Sequence, residues 1–166
     1  MMMTQCLLWF SAIGCGLLAG TYFAFSTFVM TALARMDPLH AVSAMNSINS
    51  TILRSWFMLL FFGTTLTSAA LAILGLARRG ERGGTAMIAG GLIYVAGMFL
   101  CTVFLNVPLN NTLAEVGRAS TDVATAWGRY LREWTMWNHL RALSSTAAFA
   151  LYVSVIAQLG WTSTAR

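Results

Sequence analysis

The sequence predicts an all-α integral membrane fold, a four-helix bundle, and three observations carry that prediction. Hydrophobic residues make up 58% of the chain and charged residues only 9%, whereas a soluble domain carries about 25% charged residues. Mean hydropathy is +0.70. Four apolar stretches each reach the ~20 residues that a helix needs to cross a bilayer. With 166 residues in all, they form a single domain, 1–166.

The charged residues exclude several classes of function. All ten basic residues are Arg, and the absence of Lys removes Schiff-base chemistry and any P-loop. The net charge of +5 is no signal for nucleic acid, because the arginines stand at the ends of apolar spans. Membrane orientation and anionic headgroups account for them there. Cys6, Cys15 and Cys101 all fall in apolar runs with the spacing of neither a zinc site nor a disulfide framework. They read as small buried hydrophobes.

The first span is expected over about 6–34. Its opening lacks a basic n-region and its apolar run is too long for a signal peptide, so it reads as a retained helix. It exceeds the bilayer thickness and should tilt or project beyond it. Ala12, Gly16, Gly20 and Ala24 form a row of small residues suited to close helix packing. Tyr22 and Ser26 add polarity to its second half. An amphipathic helix follows, started by Asp37 as N-cap and Pro38 at N1. Asn46 and Asn49 share its apolar stripe with Val42, Met45, Ile52 and Leu53. Two amides on that face either pin the segment to the bundle or line a pocket.

A second span at about 55–77 ends in a turn carrying Arg78, Arg79 and Arg82. The third, about 85–105, places Tyr94, Met98, Thr102 and Asn106 at four-residue intervals on one face. Pro108 should end or kink it, and 112–121 reads as a solvent-side loop. Asp122 can cap a helical extension that leads into the fourth span, about 138–160, with a break expected near Asn138. Four spans put both termini on one side. The arginine-rich turn suggests that side is cytoplasmic, in a bacterial plasma membrane, although Arg35, Arg54, Arg118, Arg129 and Arg132 would then lie outside.

The polar residues concentrate in that extension. Trp127, Tyr130, Trp134, Asn138 and Arg141 are spaced 3, 4, 4 and 3, hence on one helical face. Such a stripe can hold a polar ligand, or it can be an interfacial aromatic belt with snorkelling arginine. Together with Asn46, Asn49, Asn106, Asn110 and Trp137 it should converge at one mouth of the bundle, a natural place for a small-molecule site. Carboxylates are too few for a di-iron centre. His40 and His139 could ligate haem or copper, but neither lies mid-span, so no metal or cofactor is expected. His139 could act as an acid–base group, or simply bond a loop carbonyl. On an unbroken helix it points about 100° away from Asn138.

Several of these runs carry a resemblance. They are Gly20 to Ser26 with Val29, Met30 and Leu33, the Asn46/Asn49 segment, Asn106 to Asn110 around Pro108, and Trp134 to Arg141. Together they resemble the anthrone-oxygenase-like family of small four-span membrane proteins, over nearly the whole chain. That resemblance implies oxidation of an anthrone-like or other phenolic polyketide aromatic by O₂, without flavin or haem. It also implies roles: His139 as base, Asn106, Asn110, Asn138 and Arg141 holding an oxyanion, and Tyr22, Trp134 and Trp137 stacking on a flat ring. Ser26, Asn46, Asn49, Trp127 and Tyr130 would complete the binding site. The partners so implied are a small hydrophobic aromatic, O₂ and the lipid bilayer, and a homo-oligomer is compatible with the fold. The competing reading is a non-catalytic module binding a lipid, quinone, haem or copper, with the polar cluster as interhelical glue.

Overall fold

A computed structural model describes residues 2–116 and 122–164, with side chains through Leu159. Five helices account for them: α1 (Met2–Leu33), α2 (Pro38–Ile52), α3 (Trp56–Ala77), α4 (Gly84–Val116) and α5 (Val123–Thr164). All but α2 are long and apolar enough to cross a membrane, and the protein is an integral membrane protein.

The spans differ in length, and that difference builds the site. Helix α3 has 22 residues and at ~1.5 Å per residue matches the bilayer core. Helices α1, α4 and α5 run beyond it. A first core cluster (Leu8, Leu18, Tyr22, Leu71, Tyr94, Met98, Tyr152, Val155) fills the four-helix section. A second one (Met30, Val42, Met45, Leu113, Trp127, Tyr130, Trp134) joins the projecting ends of α1, α4 and α5 beneath α2. Helix α2 forms because Asp37 accepts from the Leu39 N–H at 3.0 Å and Pro38 sets the first turn. Its buried Ala41, Val42 and Met45 close that upper cluster.

At the opposite end α3 and α4 turn tightly. Gly83, at φ +83°, makes that turn, and a Cβ on it would lie 2.8 Å from Val155 of α5. Helices α3 and α4 then pack backbone to backbone. A Cβ on Gly91 would stand 2.5 Å from the Ser68 carbonyl, and one on Gly75 would stand 2.7 Å from that of Gly84. In α1, by contrast, Gly20 has open space around it. The expected small-residue row therefore packs only in its first half, because the face of α1 that carries Gly20 meets no neighbour, while Tyr22, Met30 and Leu33 on another face are buried.

Three expectations about local structure need correction. Pro108 neither ends nor visibly breaks its helix, and 112–116 is helical rather than loop; 117–121 lies outside the described residues. The reason lies in the two π-helical turns that precede the proline, Val95–Leu100 and Thr102–Asn106. The Val107 N–H pairs with the Thr102 carbonyl, five residues back. A wider turn makes room for a ring that lacks an N–H. It also keeps residues four apart on one side, so Tyr94, Met98 and Asn106 are all buried. The break near Asn138 does not occur, and α5 is continuous for 42 residues.

Candidate functional site

The stripe on α5 is the backbone of the site. Trp127, Tyr130, Trp134, Asn138 and Arg141 are all buried. The first three rings stack in sequence, with centroids 5.6 and 6.1 Å apart. The Arg141 guanidinium continues this column, 4.9 Å from the Trp134 ring and 4.5 Å from that of Tyr22. It is held between two aromatic faces, an arrangement favourable to a cation.

Asn138 fixes that guanidinium. Its Oδ1 accepts from Arg141 Nη2 at 2.8 Å, while its Nδ2 donates to the Tyr22 carbonyl at 2.7 Å and to Ser26 Oγ at 2.8 Å. Tyr22 and Ser26 flank the start of another π-helical turn, Phe25–Val29. Such a turn interrupts the regular pairing of the helix, which leaves backbone acceptors for a side chain to satisfy. Asn106 works in the same way on α4: its Nδ2 donates to the Trp134 carbonyl at 3.3 Å, and the Cys101 thiol faces its Oδ1. Neither amide lines the cavity. Both tie helices together and position Arg141 and Trp134.

Arg141 itself is only 5% exposed. Among the described residues the ion pairs are His40–Asp37 and Arg129–Glu133, so no carboxylate faces it. Its Nε is buried without a hydrogen-bond partner, as are the indole N–H groups of Trp127 and Trp134 and the amide nitrogen of Asn49. A buried cation lacking a counter-charge costs several kcal/mol, and donors left open at such a place point to something that accepts.

Beside Arg141, Trp134 and Asn49 lies a cavity of about 950 Å³. Tyr22, Trp134 and Arg141 form its inner wall, Phe57, Met58 and Phe61 its floor, and α2 and the upper part of α4 its sides. Asn46, Asn49 and Asn110 reach it. Asn46 also donates to the Leu113 carbonyl at 3.4 Å, pinning α2 to α4, and Asn110 accepts from the Tyr130 hydroxyl at 2.9 Å. Thus Asn46 pins α2 to α4, while the amide nitrogen of Asn49 is buried beside Tyr130. The wall is mostly apolar.

Two of the expected residues sit elsewhere. His139 is exposed on the outer face of α5, because the unbroken helix turns it away from Asn138. It cannot serve as base in this cavity. Trp137 is half-buried off the stripe; its carbonyl faces the Cys101 thiol, and its ring does not line the cavity. Ser26, Trp127 and Tyr130 act behind the wall. The imidazole that does reach the cavity is His40 on α2, whose Nδ1 lies 3.8 Å from Asp37 Oδ1. Spacing alone could not reveal this, since His40 is exposed and joins the site only through the packing of α2. Among the described residues no three His, Cys, Asp or Glu side chains gather at metal-binding distance.

The geometry can be compared with known proteins at this point. A family described as anthrone oxygenase matches residues 57–151, more than half of the chain. The chain belongs to the anthrone oxygenase family. The match runs from the start of α3 into the fourth span of α5 and takes in Asn106, Asn110, Trp134, Asn138 and Arg141. The anthrone oxygenase match leaves out α1 and α2, which supply Tyr22, Asn49 and His40. No curated protein and no solved structure matches the chain.

Proposed function

We propose that the protein oxidises a flat, phenolic polycyclic compound of the anthrone type with O₂, in the cavity and without a cofactor. The observation that carries this reading is the buried Arg141 guanidinium, with no carboxylate beside it, on the wall of a mostly apolar cavity. Membership of the anthrone oxygenase family supports the reaction class.

The chemistry suits such a pocket. The methylene of an anthrone is acidic because its anion is an aromatic oxyanion, and that electron-rich anion reacts with O₂ directly. Loss of the C–H proton and addition of O₂ at that carbon, with return of a proton, give a hydroperoxide. Loss of water then leaves the carbonyl, so CH₂ and O₂ become C=O and H₂O. Arg141 holds the developing oxyanion, since a fixed donor away from bulk water is most effective. Trp134, stacked between Tyr130 and the guanidinium, supports Arg141 rather than stacking on the substrate. His40, lined up by Asp37, takes the methylene proton in place of His139 and returns it to the peroxide. Asn138 and Asn106 are positioning residues.

O₂ uptake by purified protein in lipid vesicles tests this reading directly. With an anthrone, wild-type protein should consume one O₂ per anthraquinone formed, and Arg141→Met should cut the rate by ~10²–10³, the loss seen when one oxyanion donor is removed. His40→Gln should lower kcat with little change in KM. A wild-type protein that forms no anthraquinone from any anthrone sinks the proposal, and the cavity is then a ligand-binding site only.

A further inference from the structure

The mouth of the cavity carries a second inference. Helix α3 marks depth in the bilayer: it spans the core, Trp56 at its start is 84% exposed, and Arg78 follows its end. Phe62 lies six residues in, about 9 Å below Trp56 at 1.5 Å per residue. Its ring meets that of Phe99 on α4 at 6.4 Å, so Phe99 shares that depth. Val103 and Val107 follow on the same side of α4, about 6 and 12 Å nearer the surface than Phe99. Phe62, Val103 and Val107 line the cavity and are also exposed on the outside of the bundle, as are Leu39 and Leu53 on α2.

The gap exists because α3 and α4 approach backbone to backbone only near their turn, at Gly75/Gly84 and Gly91/Ser68. At the other end bulky Phe57, Phe61 and Phe62 stand where the glycines stood. The deepest lip, Phe62, is apolar and lies at acyl-chain depth, and Val103 stands about 3 Å below the level of Trp56, where acyl chains meet headgroups. The shallower ones include Ser43, Ser50 and Asn111. A water-facing mouth would have no reason to reach a Phe at that depth.

We infer that this slot between α2, α3 and α4 is a lateral portal, by which a flat, uncharged polycyclic phenol passes from the bilayer into the cavity, its hydroxyl trailing at headgroup level. The identity of the ligand rests on the proposed oxidation; the route does not. Spin labels on Phe62→Cys and Val103→Cys, in a Cys6→Ser background and phosphatidylcholine vesicles, measure depth without any ligand. The label at Phe62 should collide more often with O₂, which partitions into lipid, than with a polar nickel chelate, and the one at Val103 should show a lower ratio; preferential collision with the chelate at Phe62 overturns the portal. Uptake of dihydroxyanthraquinone from the vesicles is the functional arm. Val103→Trp should slow it by about tenfold, near 1.4 kcal/mol in the barrier, and Leu92→Trp, lipid-facing but away from the slot, should not. Equal effects of the two, or none at Val103, contradict the portal. If wild-type protein takes up no dihydroxyanthraquinone, the functional reading fails instead and the collision ratio alone decides the route.

Discussion

At the scale of the residue, everything turns on how Arg141 is held buried with no carboxylate against it. Two rings and one amide hold it, and the amide is itself anchored by the Tyr22 carbonyl and Ser26. Function and stability should therefore separate. Arg141→Met removes an uncompensated cation and should leave detergent thermal stability unchanged or raise it, since apolar replacement of buried charge is often neutral or stabilising by 1–4 kcal/mol (about that range). Asn138→Asp places a carboxylate against the guanidinium. It should abolish binding of an ionised hydroxyanthraquinone, read as loss of its red-shifted absorbance, and it should lower thermal stability, because a carboxylate oxygen then faces the Tyr22 carbonyl in place of the donating Nδ2. Asn138→Ala leaves the Tyr22 carbonyl and Arg141 unsatisfied and should cost about 1–3 kcal/mol. The one-sided stripe from Trp127 to Arg141 was legible from spacing alone. The lack of a counter-charge, and the exchange of His139 for His40, were not. Both depend on which helices meet, and no periodicity within one helix records that.

At the scale of the element, the informative features are the places where a regular helix gives way. The π-helical turns let Pro108 sit inside α4 and set backbone acceptors beside Asn138 in α1. Proline normally signals a stop, and a reading based on it ends the third span too early, because the compensating wide turns have no signature in residue type. Helix existence was readable, since runs of apolar residues and the Asp37–Pro38 start are local. Close packing was readable only in part. Gly91→Ala should destabilise the bundle by roughly 1–3 kcal/mol, as its Cβ meets the Ser68 carbonyl. Gly20→Ala should be neutral or gain about 0.5–1 kcal/mol from helix propensity. Thermal unfolding in detergent compares the two. Asp122 starts α5, accepting from the Thr125 N–H at 3.2 Å and its hydroxyl at 2.6 Å. Those bonds from Thr125 hold its carboxyl below the usual range. Because the folded value is lowered, the cap's contribution is present above the ordinary carboxylate pKa of about 4 and fades as pH falls through the lowered value. Amide exchange in the first turn of α5 should quicken over that acidic window, and Asp122→Ala should show fast exchange at every pH.

At the scale of the whole molecule, unequal helix lengths do the work. Three spans overshoot α3, and the shelf left above it is roofed by α2, which makes a cavity straddling the membrane boundary. Four spans, one amphipathic helix and convergence of the polar segments at one end all followed from hydropathy and chain order. The cavity's depth and its side opening did not, because they arise from how far each helix runs past its neighbours. Arginines stand at both ends of the bundle, with Arg78, Arg79 and Arg82 at the turn and Arg35, Arg54, Arg129 and Arg132 at the cavity end. We propose that the turn faces the cytoplasm, because short loops weigh most in setting orientation; a cysteine at Gly80 should then react with a membrane-impermeant maleimide only after inner leaflet access is opened.

The measurement that bears most directly on the central claim is the absorbance of a hydroxyanthraquinone bound to protein in vesicles, below the pH at which the free compound ionises. The account predicts that wild-type protein binds it as the red-shifted anion, one per chain, and that Arg141→Met binds only the neutral form or none. A wild-type spectrum of the neutral form, or an unchanged red shift in Arg141→Met, would contradict it.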